Sequence, residues 1–379
     1  MANWLSKIAR FRTLMKVMTI IGLIAMVLSY LAPFFHPNTF KLLPFFGLAY
    51  PIIVCCNILS LLYWALVRSK WFFVVLVVLI GGGKLHFRTL AVTYDPELAT
   101  AEDNTWKILS YNVRLFDVYN ESTEGRNRSR DSIVAYIQRM NPDVVCFQEF
   151  FQQDKPTQFS TRDTIYDLLQ AKGYHERYSH KIRNRQNFGI CMISKYPIIA
   201  KGDVMFDNFA STDNYCIFAD IVKGNDTMRV YNIHLQSIKL EQKEYALFGA
   251  KNQEQVVKKS TIRLLIDKLT IAYPARAEQA IKVVEHMQTS PYPVVICGDF
   301  NDTPLSYVYN QFNQYLIDSY LETSHGIGAT YVGRVPAGRI DYIFHSPVLA
   351  AQHFVIQEHA FSDHLAVYCE IWKRKITTP

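Results

Sequence analysis

The run Pro293-Val-Val-Ile-Cys-Gly-Asp-Phe-Asn301 ends an apolar strand in a carboxylate and a carboxamide side by side, a pairing that suits phosphate chemistry. Five other segments repeat the pattern. Ser110-Tyr-Asn112, Cys146-Phe-Gln-Glu149, Tyr231-Asn-Ile-His-Leu-Gln-Ser237, Arg339-Ile-Asp-Tyr-Ile-Phe344 and Ser362-Asp-His-Leu365 each set polar residues at the end of a β-like apolar run. Cleaving a phosphate ester requires neutralisation of charge on the phosphate, a positioned nucleophile and a proton for the leaving oxygen. Glu149 is a telling residue, because a carboxylate closing an apolar run is costly to bury unless it meets a cation or another partner. One such strand end carries little weight, since polar residues cap strands in any protein; six in order are hard to obtain otherwise.

Positioning these groups calls for a layered α/β domain, and from Trp106 onward strand-like and helix-like patterns alternate. Strands are expected at Lys107 to Asn112, Asp143 to Glu149, Phe188 to Ser194, Tyr215 to Lys223, Met228 to His234 and Val294 to Asp299. Asn225-Asp226 reads as a hairpin turn. Ile133, Ile137 and Met140 have helical spacing within Arg130 to Met140, ahead of Pro142, and Ile165 to Ala171 reads as a helix ended by Gly173. Between His234 and Asp299 two helices are expected, roughly Gln253 to Leu269 and Arg276 to Met287. The first is amphipathic and basic, as a solvated face is, or a surface touching anionic headgroups or substrate.

In order and content the six motifs resemble the endonuclease/exonuclease/phosphatase family, which includes pancreatic-type deoxyribonuclease, abasic-site endonucleases, neutral sphingomyelinases and inositol-polyphosphate phosphatases. The resemblance covers roughly Trp106 to Lys373. It implies a four-layered sandwich of two packed β-sheets flanked by helices, with catalytic residues gathered where strands end along one edge. It implies Glu149 as principal metal ligand with Asn112 and Asp363 beside it, and oxygen-only ligation favours Mg²⁺, with Mn²⁺ as a substitute. Asp299 and Asn301 match the pair that activates water and contacts phosphate. His364 is assigned as general base with Asp341 orienting it, a carboxylate partner fixing the tautomer and raising basicity; some members are instead discussed with the Asp299 counterpart as base. His234 is assigned to phosphate binding or leaving-group protonation, and it separates this chain from abasic-site enzymes, which typically carry Tyr there. Arg114 also departs from the acidic residue those enzymes carry nearby. Tyr331, Arg334 and Arg339 are candidates to line the cleft, or parts of a loop closing on the sheet. His175, His180, His286, His325, His345, His353 and His359 match no motif, and packing or surface roles are expected of them.

Composition divides the chain. The first 90 residues hold no Asp or Glu but nine of the 40 Lys and Arg, so the remainder carries 31 basic against 33 acidic residues and is close to neutral. The overall charge of +7 therefore belongs to the N-terminal part and is no nucleic-acid footprint. Val17 to Phe35 and Leu42 to Val67 are uncharged apolar runs of about 19 and about 26 residues, each long enough for a hydrocarbon core of ~30 Å. Trp71 to Gly83, about 13 residues or roughly 20 Å of helix, crosses only if Lys70 and Lys84 snorkel and the bilayer thins. The expected organisation is a transmembrane region over residues 1–90 with about three helices, a linker over 91–105 and a catalytic domain over 106–379. Lys7, Arg10, Arg12 and Lys16 before the first run, and Arg68 and Lys70 after the second, place the N-terminus in the cytoplasm, and three crossings then put the catalytic domain outside it. Five cysteines in the globular part sit in strand-like runs as small buried hydrophobes, without metal-binding spacing, and their odd number is awkward for an oxidising compartment.

The expected function is a membrane-tethered, metal-dependent phosphoesterase acting on a lipid, nucleic acid or small molecule, with no protein partner implied. A nuclease working outside the cytoplasm is the alternative, disfavoured by the near-neutral domain. A non-catalytic binding module is opposed by the presence of Glu149, Asp299, Asp363 and His364 together.

Overall fold

The computed structural model describes residues 2–93, 98, 104–120, 122–154, 157, 159–182, 186–206, 214–238, 259–333 and 338–374. The chain forms two compact units, one of residues 1–90 with 303–310 and one of residues 91–302 with 311–379.

The first unit contains α1 (Ala2–Leu31), α2 (Leu43–Leu66), α3 (Trp71–Gly81) and α4 (Lys84–Thr89). Ala9–Leu31 and Leu43–Leu66 are long and apolar enough to cross a membrane; α3, at 11 residues, is short for that. Polar side chains join α1 to α2: Thr19 meets Ser60 at 2.8 Å, Trp64 Nε1 donates to Thr19 Oγ1 at 2.8 Å, and Asn57 Nδ2 donates to Gly22 O at 3.0 Å. Trp71 stacks on Trp64, Tyr30 donates to Val78 O, and His86 contacts both Tyr30 and Tyr50.

The second unit is a sandwich of two mixed six-stranded sheets flanked by helices. Sheet one runs β10 (Ile317–Asp318), β12 (Asp341–His345), β9 (Val294–Asp299), β8 (Asp226–His234), β7 (Tyr215–Lys223), β6 (Ile198–Val204). Sheet two runs β13 (Leu349–Ile356), β14 (Val367–Lys373), β2 (Trp106–Asn112), β3 (Val144–Gln153), β5 (Gln186–Ser194), β4 (Gly173–Ile182). The short β1 (Ala91–Val92) pairs with β11 (His325–Gly326). Each large sheet holds one parallel pair near its middle, β8 with β9 and β2 with β3. A parallel pair needs a crossover; α5 (Thr123–Met140) lies between β2 and β3, and α7 (Lys259–Gln288) between β8 and β9.

Strand alternation explains the layers. Ile108, Val144, Cys146, Ile217, Val230, Val295 and Cys297 point between the sheets, whereas Leu109, Val145 and Phe147 pack outward with Ile133 and Ile137 of α5. A buried Ile or Phe of this kind stabilises by about 1.5–3 kcal/mol. Ser122 caps α5 by accepting from Gly125 N, and Asn141, with φ 46°, ends it ahead of Pro142.

The elements differ from sequence expectation in several places: α5 begins at Thr123 rather than Arg130, and β3 runs past Glu149 to Gln153. The second of the two expected helices before β9 joins the first: α7 runs unbroken through Pro274, because Tyr273, Ala277, Ala280, Val284 and Met287 keep one buried face across it; residues 253–258 of the first lie outside the described ones. The hairpin turn falls at Gly224–Asn225, since Lys223 pairs with Asp226, and Gly224 supplies the positive φ. The helix expected from Ile165 to Ala171 is Thr161–Leu168, written α6.

Candidate active site

Both parallel pairs end at the same edge of the sandwich. β2 delivers Asn112, β8 His234 and β9 Asp299, and Asp299 pairs with both His234 and Asp341 in register. Gly298 makes that approach possible: its φ is 147°, and a Cβ there would lie 2.0 Å from Ile233 O.

β3 reaches the edge by a different route. Its register to β5 shifts between Phe147 and Phe150, two residues opposing one, and Glu149 takes up a φ of 47°. Regular alternation would send Glu149 outward beside Phe147. The bulge gives that outward slot to Phe150, and the Glu149 side chain stays 35% exposed at this edge.

Asp299 is the hub of the site. Its Oδ2 accepts from Asn112 Nδ2 at 3.0 Å and lies 3.7 Å from His234 Nε2 and 3.6 Å from His364 Nε2. His364 Nδ1 donates to Asp341 at 3.0 Å, and Asp341 is itself held by its backbone N donating to Thr330 Oγ1. Asn112 Oδ1 accepts from Arg114 N, which aims the amide nitrogen at Asp299 and at Glu149 Oε1, 3.5 Å away. Asn301 N donates to Asp299 Oδ1 at 2.8 Å, and its Nδ2 to Leu235 O. His234 Nε2 is 4.0 Å from Glu149 Oε1. Arg114, whose side chain is half exposed, brings Nε to 3.7 Å from Asp363 Oδ2.

The backbone after Asn112 is strained. Arg114, Leu115, Phe116 and Asp117 have φ of 43° to 55°, a left-handed turn that costs L-residues roughly 1–2 kcal/mol each. Phe116 holds it, fully buried edge-on to Phe150.

Charge is concentrated here without full compensation. Burial first, then Asp363 and Asp299, push the Glu149 carboxyl up to about 7 against the opposing pull of His364 and Asn112. Burial raises Asp299 too, opposed by His364 and His234. Burial lowers His364, but Asp341 and Asp299 outweigh it and lift the imidazole to about 10, so it carries its proton at neutral pH. Carboxylates that raise one another in this way suit a divalent cation, and the oxygen donors of Glu149 and Asp363 suit a hard one; Asn112 presents its amide nitrogen there, its Oδ1 being engaged by Arg114 N. Donor atoms of Asp299, Asp341 and His364 lie within 4.8 Å of one another as well. That trio is already hydrogen-bonded through His364 Nδ1, so the Glu149 side is the better cation cradle.

All eight residues singled out in the sequence, Asn112, Glu149, His234, Asp299, Asn301, Asp341, Asp363 and His364, thus meet at one edge. Tyr331 joins them, its ring 5.0 Å from that of His364. Arg339 does not line the cleft: it is buried, paired with Asp318 and set against Tyr320 and Tyr342. Arg334 lies outside the described residues. Most unmatched histidines have local partners, His175 with Asp203, His286 with Tyr231, His345 with Glu322 and His353 with Glu370. Sequence reasoning gave no role to Ser110, Gln148 and Asn232, one layer beneath the site, although all three lie inside the quoted motifs.

Residues 109–364 match the model of the Endonuclease/Exonuclease/phosphatase family, and residues 12–89 match a domain of unknown function (DUF8431). No curated protein matches the chain. Solved structures share the fold. An endonuclease/exonuclease/phosphatase family protein from Bacteroides vulgatus is 14% identical, with 72% of this chain and 100% of that one covered and a TM-score of 0.52. One from Bacteroides thetaiotaomicron is 17% identical over 74% and 100%, with a TM-score of 0.51, and one from Leptotrichia buccalis is 18% identical over 71% and 100%, with a TM-score of 0.50.

Proposed function

The chain belongs to the endonuclease/exonuclease/phosphatase family, and from that premise we propose a membrane-tethered phosphoesterase that uses Mg²⁺, or Mn²⁺ in its place, to hydrolyse a phosphodiester or phosphomonoester with water. The observation that carries this reading is the contact set of Asp299, whose Oδ2 faces Asn112, His234 and His364 while Glu149 and Asp363 stand beside them.

In this reading Glu149 and Asp363 would hold the cation, with Asn112 as a further ligand only if its amide turned Oδ1 toward them, and the cation would supply positive charge to the phosphate. Asp299 takes the proton of the attacking water, its carboxylate oriented by Asn112 and by Asn301 N. His364, kept protonated by Asp341, hydrogen-bonds a phosphate oxygen as charge builds there. His234 donates toward the leaving oxygen or the phosphate, and Asn301 contacts the phosphate. The protonated state of His364 favours Asp299 over His364 as the base. A near-neutral catalytic part favours a lipid or small ester over a nucleic acid, and a tether raises the local concentration of a membrane-borne substrate.

The tether is read from α1 and α2, and the catalytic domain is proposed to lie outside the cytoplasm. Support comes from the path of the third segment. It starts beside Trp64 and brings Val78 and His86 to Tyr30 and Tyr50, so it returns toward the end of the α1–α2 pair that lies opposite the basic N-terminus. A phosphatase fusion after Pro379 that stays silent, while a cytoplasm-active reporter lights up there, would reverse this side.

Function is tested by turnover of the full chain in detergent with Mg²⁺, offered DNA, RNA, sphingomyelin, phosphoinositides and an aryl phosphodiester. Cation-dependent hydrolysis of a lipid or small ester is expected. Turnover confined to DNA or RNA would replace the reading with a nuclease, and no turnover of any ester would remove it.

A further inference from the structure

Beneath the catalytic edge, Asn232 of β8 is fully buried between the sheets, where an amide is costly unless its hydrogen bonds are made. Its partners all belong to the strands around the Glu149 bulge. Asn232 Nδ2 donates to Phe147 O at 3.1 Å and to Cys191 O at 2.9 Å. Phe147 and Cys191 are the last β3–β5 pair before the register shift. Asn232 Oδ1 accepts from Gln148 Nε2 at 2.7 Å, and the same nitrogen reaches Ser110 Oγ at 3.2 Å. Because Asn232 gives its amide hydrogens to two carbonyls, its Oδ1 must be the acceptor, and Gln148 must present nitrogen to it. Gln148 Oε1 is then buried without a hydrogen-bond partner among the described residues.

We propose that Asn232 is a positioning residue: reaching across from the opposite sheet, its carboxamide staples the β3 bulge and so fixes where Glu149 presents its carboxylate to the cation. The same strand carries His234 two residues later, on the same face, so one side chain ties the place of the cation ligand to that of the phosphate-facing histidine. The inference rests on Glu149 being a cation ligand.

The test measures Mn²⁺ affinity by calorimetry on the full chain in detergent, together with amide hydrogen exchange over residues 147–150 in metal-free protein. Asn232→Leu, close in shape but without donors, should weaken Mn²⁺ binding about 10–100-fold, as loss of a ligand's supporting partner does, and speed exchange at Glu149 and Phe150. Val230→Ala, on the same strand and face, should lower Tm while leaving Mn²⁺ affinity and that exchange unchanged. Asn232→Leu with wild-type Mn²⁺ affinity would overturn the proposal. Should that variant fail to fold, Gln148→Met, which removes the donor to Asn232 Oδ1, is expected to weaken Mn²⁺ by about 10-fold, and wild-type affinity there would overturn it equally. No Mn²⁺ binding by wild-type protein, or undiminished binding by Glu149→Gln, would instead sink the assignment of Glu149 and with it the basis of the inference.

Discussion

The two ends of the sandwich are built from the same strands and treat charge and backbone in opposite ways. At the end where β7 turns into β8, the carboxylate of Asp143 accepts from Lys223 at 2.8 Å and from Lys107 N at 3.1 Å. Positive φ there serves ordinary ends, Asn141 closing a helix and Gly224 turning a hairpin. At the catalytic end Glu149, Asp299, Asp341 and Asp363 crowd around two histidines, and Arg114 to Asp117, Glu149 and Asn301 account for six of the ten positive-φ non-glycine residues among those described. One end spends its polar groups on holding the chain; the other keeps them poised for chemistry, at a cost the apolar core must offset.

The sharpest way to break this contrast is at Glu149. Glu149→Gln should drop hydrolysis to background with the fold intact, as should excess EDTA with wild-type protein; undiminished turnover in EDTA would end the metal-dependent mechanism. His364→Ala and Asp299→Ala should each cost on the order of 10²-fold or more in kcat, and a variant close to wild type would leave the catalytic set.

Stability should respond in the reverse sense. Asp143→Ala should cost about 1–3 kcal/mol by stranding partners of a mostly buried carboxylate, read as a lower denaturation midpoint with kcat unchanged. In metal-free protein Asp299→Asn should leave Tm unchanged or higher, because it removes a carboxylate whose ionisation burial opposes. A large Tm loss in Asp299→Asn would mean that the catalytic end also holds the fold together.

The pH dependence of cation binding has a definite sign. With Glu149 raised to about 7, protons compete for its carboxylate below that value, so Mn²⁺ affinity should weaken by up to about tenfold per pH unit as pH falls from 7 toward 6 and level off above 8. Flat affinity between pH 6 and 8 would show that Glu149 ionises at an ordinary carboxylate pH. The smallest effect is expected at Ile199, 57% exposed on edge strand β6, where Ile199→Thr should stay within about 0.5 kcal/mol of wild type with full activity.

Much of the site was legible because it follows a local rule: an apolar run ending in a carboxylate, amide or imidazole marks a strand end, as at Asn112, His234 and Asp299. Asn232 escaped that rule. Its proposed role depends on a bulge in the opposite sheet, and period-two alternation carries no signal for a slipped register. The two helices expected before β9 are one for a related reason, since a local pattern divides what one continuous buried face carries through Pro274 in α7. Arg339 looked like a candidate cleft residue from its place near Asp341, but it lies before β12, outside the alternation, and is buried against Asp318, Tyr320 and Tyr342. The third N-terminal helix, shorter than a span by length, acquires its path only through side chains on α1 and α2.

The five thiols of the catalytic unit bear on the compartment in which it works. Cys146, Cys191, Cys216, Cys297 and Cys369 are all shut inside the sandwich, and burial pushes the first three well above the ordinary thiol value, so little thiolate is on offer. An oxidant would meet no exposed sulfur on the folded domain, so the odd count is no bar to an oxidising compartment. The same shielding makes the cysteines a clock: an alkylating reagent modifies them no faster than the sandwich opens, and where alkylation outpaces reclosing their labelling rate reads out the lifetime of the native state.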